Sequence, residues 1–141
     1  MNRSIICRNA NMLVKQGYTR SQAFKKAWEL AKLPEISVKV KGTAANPMRQ
    51  EALEHLTRYT ADRVMFRIAP EPNNAYDSNA VAVIASVKGK GSFRIGYLAR
   101  ELAANISELM RAGLAVLTSG NVTGGYNPYV NYGARVNIRF A

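Results

Sequence analysis

The sequence predicts an α+β fold: a small twisted barrel or half-barrel, mainly β, of about six short strands with two short helices over its ends, behind an N-terminal helical hairpin. Three observations carry that expectation. Apolar residues recur at helical spacing up to residue 33 and then, from Ile36 on, at every second position, a switch from a 3.6-residue to a two-residue period. The later apolar segments are joined by links rich in Gly, Pro, Asn and Asp, as hairpin connections are. An apolar content of 48% in 141 residues suffices for the core of one domain with a small appendage. The expected division is a basic helical hairpin over 1–34 and the barrel over 35–141.

In chain order, Ile6, Ala10, Leu13 and Val14 form the stripe of a first helix, with Gly17 as its C-cap. Thr19-Arg20-Ser21-Gln22 is a capping box, hydroxyl and carboxamide each satisfying the other's orphan amide. Ala23, Phe24, Ala27, Trp28 and Ala31 make the inward stripe of a second helix, with Trp28 read as core; Lys25, Lys26 and Lys32 lie off it, and Pro34 ends it. Val38 and Val40 alternate with Lys39 and Lys41 in a first strand closed by Gly42. Asn46-Pro47, an N-cap followed by proline, starts a helix from Met48 to about Tyr59, Leu53 and Leu56 inward. Val64, Phe66 and Ile68 share one face of the next strand, and another follows at 80–85. Lys88-Gly89-Lys90-Gly91 is a hairpin tip, after which Phe93, Ile95 and Tyr97 alternate on the returning strand. A helix from Ala99 to about Arg111 carries Leu102, Ile106, Leu109 and Met110 and closes at Gly113. Strands at 114–118 and 135–140, the last with Val136, Ile138 and Phe140 inward, flank a long loop holding Tyr126, Tyr129 and Tyr132.

Charge narrows the class of partner. Twenty Lys and Arg against nine Asp and Glu give +11, densest over residues 1–33, where Glu29 alone opposes seven basic side chains. Such an excess draws a polyanion by steering and counterion release, without conferring sequence specificity. No apolar run reaches the roughly 18 residues of a membrane span, and the N-terminus lacks the apolar region of a signal peptide. The single cysteine, Cys7, permits no internal disulfide and fits a reducing cytoplasm.

The residues offer no catalytic set. His55 is the one histidine, without a second ligand for a metal and without a nucleophile-elbow motif nearby. Carboxylates are scattered singly, and the glycine-rich segments at 88–91 and 124–125 lack the Lys-Ser/Thr of a nucleotide loop. No enzyme, metal or cofactor is expected. Binding is better supported: Arg67, Arg94, Arg100, Arg135 and Arg139 stand near tyrosines, and basic grooves with aromatic platforms hold single strands by pairing phosphates and stacking bases. The plainer reading of each arginine is solvated surface, and of the three loop tyrosines, packing. A helix pair with a basic second helix also resembles a DNA-reading helix-turn-helix, although two helices are too few to build that fold.

The stretch Glu71-Pro72-Asn73-Asn74-Ala75-Tyr76-Asp77-Ser78-Asn79-Ala80 combines a stiff turn, whose short amides and carboxylate bond their own backbone, with an exposed-type aromatic. It is either a hairpin turn alone or the rim of a binding site. Twenty residues on comes Gly96-Tyr97-Leu98-Ala99-Arg100-Glu101-Leu102-Ala103. The two motifs together resemble the HIRAN family, whose members carry a P-x-N-x-Y-D-x-N-A-V turn and a G-[YH]-[LI]-x-[RK]-E-x-[AS] helix start. Gly42-Thr43 and Arg49-Gln50-Glu51-Ala52-Leu53 resemble bacterial members, and the likeness spans about residues 36–140. Residues 1–33 fall outside it and look like short basic helices of phage and mobile-element proteins.

The resemblance implies an OB-like barrel that binds DNA, capturing the 3′ end of a single strand. It assigns Tyr76 to stack on the terminal base, Asn74 to bond the end nucleotide, Asp77 to accept the 3′-hydroxyl and Arg100 to pair a phosphate, with Asn79 in the same turn. A carboxylate in an end pocket accepts a hydroxyl and repels a terminal phosphate. Tyr97 stands where one branch of the family has histidine. The family's Arg-aromatic pair after the first strand's glycine is replaced by Thr43-Ala44-Ala45-Asn46, so the base is held on one face unless Tyr126, Tyr129 or Tyr132 swings in. The family is often fused to a helicase or nuclease; 141 residues leave no room for one, so such an enzyme is expected as a partner. From a different class, the basic surface also suits a mobile-element interaction protein that docks on a host protein or nucleoprotein and modulates or inhibits it.

Overall fold

The computed structural model of the chain describes residues 3–32, 35–114 and 116–140. Helix α1 (Arg3–Lys15) ends where the Gly17 and Tyr18 amides donate to the carbonyls of Val14 and Leu13, the bond pair of a Schellman cap. The reciprocal Thr19–Gln22 hydrogen bonds, both 3.2 Å, then open α2 (Arg20–Lys32). Ile6, Ala10, Leu13, Ala23 and Ala27 are buried together with Leu114. Phe24 and Trp28, expected inside, are 50% and 38% exposed. Two alanines make the contact face of α2 narrow, so its bulky neighbours fall on the flank, where the Lys32 ammonium lies 5.1 Å from the Trp28 ring centre. Val14 is exposed as well. The side chain of Ala31 and residue Pro34 lie outside the described residues.

Strands β1 (Ile36–Lys39), β6 (Tyr132–Phe140) and β5 (Val116–Gly124) form one antiparallel sheet, in the order β1-β6-β5. Strands β2 (Val64–Pro70), β3 (Val81–Val87) and β4 (Ser92–Tyr97) form the other, in sequence order. The sheets share one core of Val40, Phe66, Ile68, Val83, Ile95, Val136 and Ile138. It is capped by α3 (Pro47–Leu56), through Leu53 and Leu56, and by α4 (Arg100–Arg111), through Ala103 and Ile106. The architecture is thus α+β, with six antiparallel strands in a barrel-like pair of sheets; among the described residues the ladders do not run continuously round it. One seam is a two-bond bridge between Lys41 and Tyr97, of 2.8 and 2.9 Å. At the opposite seam the Thr118 hydroxyl donates to the Phe66 carbonyl at 2.5 Å.

Two expectations about the strands are corrected. The final hairpin is longer than the sequence suggests: β5 and β6 pair from Val116–Phe140 to Gly124–Tyr132, so the tyrosine loop shrinks to 125–131. Gly120, Val122 and Ala134 supply small or β-branched residues where Asn and Gly read as loop. In β4 the alternation of Phe93, Ile95 and Tyr97 does not hold. Val83 pairs Gly96 while Ile84 pairs Arg94, leaving Ile95 as an extra residue. That bulge reverses the phase of the strand beyond it, so Tyr97 emerges on the same outer face as Arg94 and not beside Ile95.

Candidate functional site

The turn between β2 and β3 holds itself together. The Glu71 amide donates to the Ala80 carbonyl at 2.8 Å, and the Ala80 amide to the Asp77 carbonyl at 3.1 Å. Asn74 Oδ1 accepts from the Tyr76 and Asp77 amides, at 2.9 and 3.1 Å, and Asp77 Oδ1 from the Asn79 amide at 2.9 Å. From the last turn of α4, Arg111 Nη2 donates to the Ser78 carbonyl at 2.5 Å and Nη1 reaches Asn79 Oδ1 at 3.5 Å. These bonds leave the Tyr76 ring on top, 96% exposed.

Below it opens a cleft of about 950 Å³, lined by the turn, by Arg49 at the start of α3, by Arg94 and Tyr97 on the outer face of β4, and by Arg100 and Ala103 of α4. Its floor is organised by Glu71. Oε2 accepts from Arg94 Nη1 at 2.7 Å; Oε1 accepts from the Tyr97 hydroxyl at 2.9 Å and from Asn74 Nδ2 at 3.1 Å. Partial burial alone would raise the Glu71 pKa, but the hydrogen bonds from Asn74, Arg94 and Tyr97, with the Arg94 charge, hold it below the usual carboxylate range. Tyr97 is pushed upward by burial and by the Glu71 carboxylate, and Arg94 is raised by its bond to Glu71. The Tyr97 ring carries a guanidinium from Arg94 and one from Arg49, each 5.6 Å from its centre. At the cleft mouth Arg100 Nε stands 4.0 Å from Asp77 Oδ2, the arginine side chain 82% exposed.

Of the residues singled out in the sequence, Asn74, Tyr76, Asp77, Arg94, Tyr97 and Arg100 line this one cleft. Asn74 Oδ1 is occupied inside the turn, and Asn79 sits behind it against Arg111. Arg67 is exposed on β2; it pairs with Ile84, as Arg94 does from the other side, so the two arginines share a row of the outer sheet face without Arg67 reaching the cleft. The loop tyrosines do not line it either. Gln50 fastens that loop elsewhere, accepting from the Tyr132 amide and donating to the Tyr132 and Thr43 carbonyls at 2.8, 2.8 and 2.9 Å.

Two cleft residues have no role that the sequence motifs assign. Glu71 abuts the turn, yet its partners Arg94 and Tyr97 lie 23 and 26 residues on, beyond any local pattern. Arg49 does leave a signal. It stands in the first turn of a helix that has no acidic residue there, where the macrodipole disfavours a cation.

A family model for the HIRAN domain matches residues 35–140. Among solved structures, a protein from Lactobacillus plantarum is 17% identical, with a TM-score of 0.44 over 75% of this chain and 99% of that one. The HIRAN domain of human HLTF is 23% identical, with a TM-score of 0.42 over 74% of each chain. No curated protein matches.

Proposed function

Because the chain belongs to the HIRAN domain family, a family of DNA-binding modules, over residues 35–140, we propose that its cleft binds single-stranded DNA and holds a 3′-hydroxyl end. The observation that carries this reading is that the exposed Tyr76 ring and the Asp77–Arg100 pair line one cleft with two further arginines. A base stacks on Tyr76, the end hydroxyl donates to Asp77, and the phosphates meet the arginines. The protein acts as a binding module, and any catalysis on the captured end comes from a partner enzyme such as a helicase or nuclease. No described helix is long and apolar enough to cross a membrane.

Binding of end-labelled single strands bearing 3′-OH, bearing 3′-phosphate, or closed into circles tests the proposal. The 3′-OH form is expected to bind tightest. Equal binding of all three removes end capture and leaves a general single-strand site; no binding to any removes the reading altogether. A second reading, docking on a host protein or nucleoprotein, is supported by Phe24 and Trp28, which lie exposed on a basic helix pair. It predicts a complex that survives loss of the Tyr76 side chain.

A further inference from the structure

Three arginines line the cleft, and their charges are not equally available. Arg94 is spent on Glu71 at 2.7 Å. Arg100 lies near the Asp77 carboxylate and is largely in solvent, where such pairs are screened and weak. Arg49 has no carboxylate within 4.0 Å among the described residues. Yet its head is held in place without one. Its Nη1 donates to the Gly42 carbonyl at 2.9 Å, its guanidinium lies over the Tyr97 ring, and its backbone amide is capped by Asn46 Oδ1 at 2.9 Å. The positive φ of Gly42, +78°, places that residue against the Arg49 head: a Cβ there would stand 3.1 Å from Nη1. A guanidinium has five N–H donors, and among the described residues one of them is used, on a neutral carbonyl.

We propose that Arg49 is the phosphate-pairing residue of the cleft, holding a phosphodiester of the strand whose base lies on Tyr76. This rests on the cleft being a single-strand site and adds the residue that supplies its net charge. An un-neutralised cation, fixed before the ligand arrives, gives up little conformational freedom on binding. Arg94, by contrast, keeps Glu71 and Tyr97 in place.

The test is the salt dependence of binding to a 3′-OH single strand, for wild type, Arg49→Gln, Arg49→Lys and Arg58→Gln. The last removes an equal charge from the exposed turn that follows α3, outside the cleft. Arg49→Gln is expected to lower affinity about tenfold at low salt and to flatten the slope of log K against log salt by about 0.7, the single-strand value for one phosphate contact. Arg49→Lys should retain the slope, and Arg58→Gln should match wild type. If Arg49→Gln binds with wild-type affinity and slope, the Arg49 assignment falls while the cleft stands. A loss that is equal at every salt concentration and that Arg49→Lys does not rescue also overturns it, showing support of Tyr97 in place of phosphate pairing. Failure of wild type to bind any single strand overturns both readings. Melting curves accompany each variant, and Arg49→Met, which keeps the aliphatic stem, replaces Arg49→Gln if that variant does not fold.

Discussion

Glu71 Oε2 and Arg94 Nη1, twenty-three residues apart in the chain, meet at 2.7 Å on the floor of the cleft. A carboxylate so placed does two things: it fixes the arginine, and it sets negative charge in the cleft proposed for the strand. Replacing Glu71 with Gln therefore has a signed outcome. Arg94 loses its counter-charge, so single-strand affinity at low salt should rise and the salt slope should steepen by up to about 0.7. Anisotropy titrations against salt read both. Unchanged affinity would mean that Arg94 lies out of the strand's path.

The same carboxylate gives a pH dependence. Its pKa is depressed in the folded protein, so its bonds stabilise the fold above the unfolded carboxylate pKa, and that contribution is lost as pH falls through the lower folded value. Melting temperature should drop as pH is lowered into and below the ordinary carboxylate range, and Glu71→Gln should shrink the drop. A variant whose pH profile overlays wild type would remove Glu71 from the account.

Tyr76 and Asn74 share one turn and should separate cleanly. The Tyr76 ring is almost wholly in solvent, so Tyr76→Ala should leave stability within about 0.5 kcal/mol while costing about 1–3 kcal/mol of single-strand affinity. Asn74 Oδ1 satisfies two backbone amides, so Asn74→Ala should destabilise the fold by about 1–2 kcal/mol. Chemical denaturation beside binding assays checks the pair.

End selection should reside in Asp77. Asp77→Asn removes the charge that repels a terminal phosphate, so the preference for 3′-OH over 3′-phosphate should narrow, chiefly through better binding of the phosphate form. An unaltered ratio would place end recognition on other groups.

Gly96 lies under the seam between the two sheets. A Cβ there would stand 2.3 Å from the Lys41 carbonyl oxygen and 2.6 Å from Val40 Cγ1. Gly96→Ala should cost about 1–3 kcal/mol by prising Lys41 from Tyr97, and binding should weaken with it.

How much of the molecule is legible in its sequence depends on the range of the forces involved. The Schellman and capping-box bonds around Gly17 and Thr19, the Asn46 cap and the turn at Asn74 all arise within a few residues, and each is readable there. The buried stripe of α2 is narrower than its periodicity suggests, keeping Ala23 and Ala27 but not Phe24 and Trp28, because how closely the two alanines meet α1 is a tertiary matter. The bulge at Ile95 hides inside an unbroken alternation, since the extra residue shows only against its partner strand. For the cleft, the motifs bring Tyr76, Asp77, Tyr97 and Arg100 together, but Glu71 and Arg49 gain their roles from the meeting of α3, the turn and β4.

Tyr97 belongs to both the frame and the cleft. Its backbone makes the bridge to Lys41 that joins the sheets, and its ring carries Arg49 and Arg94. Opening that seam therefore dismantles the cleft, and an occupied cleft must resist the opening. Bound DNA would act as a staple between the sheets, and the Lys41 and Tyr97 amides should exchange with solvent more slowly once a strand is held.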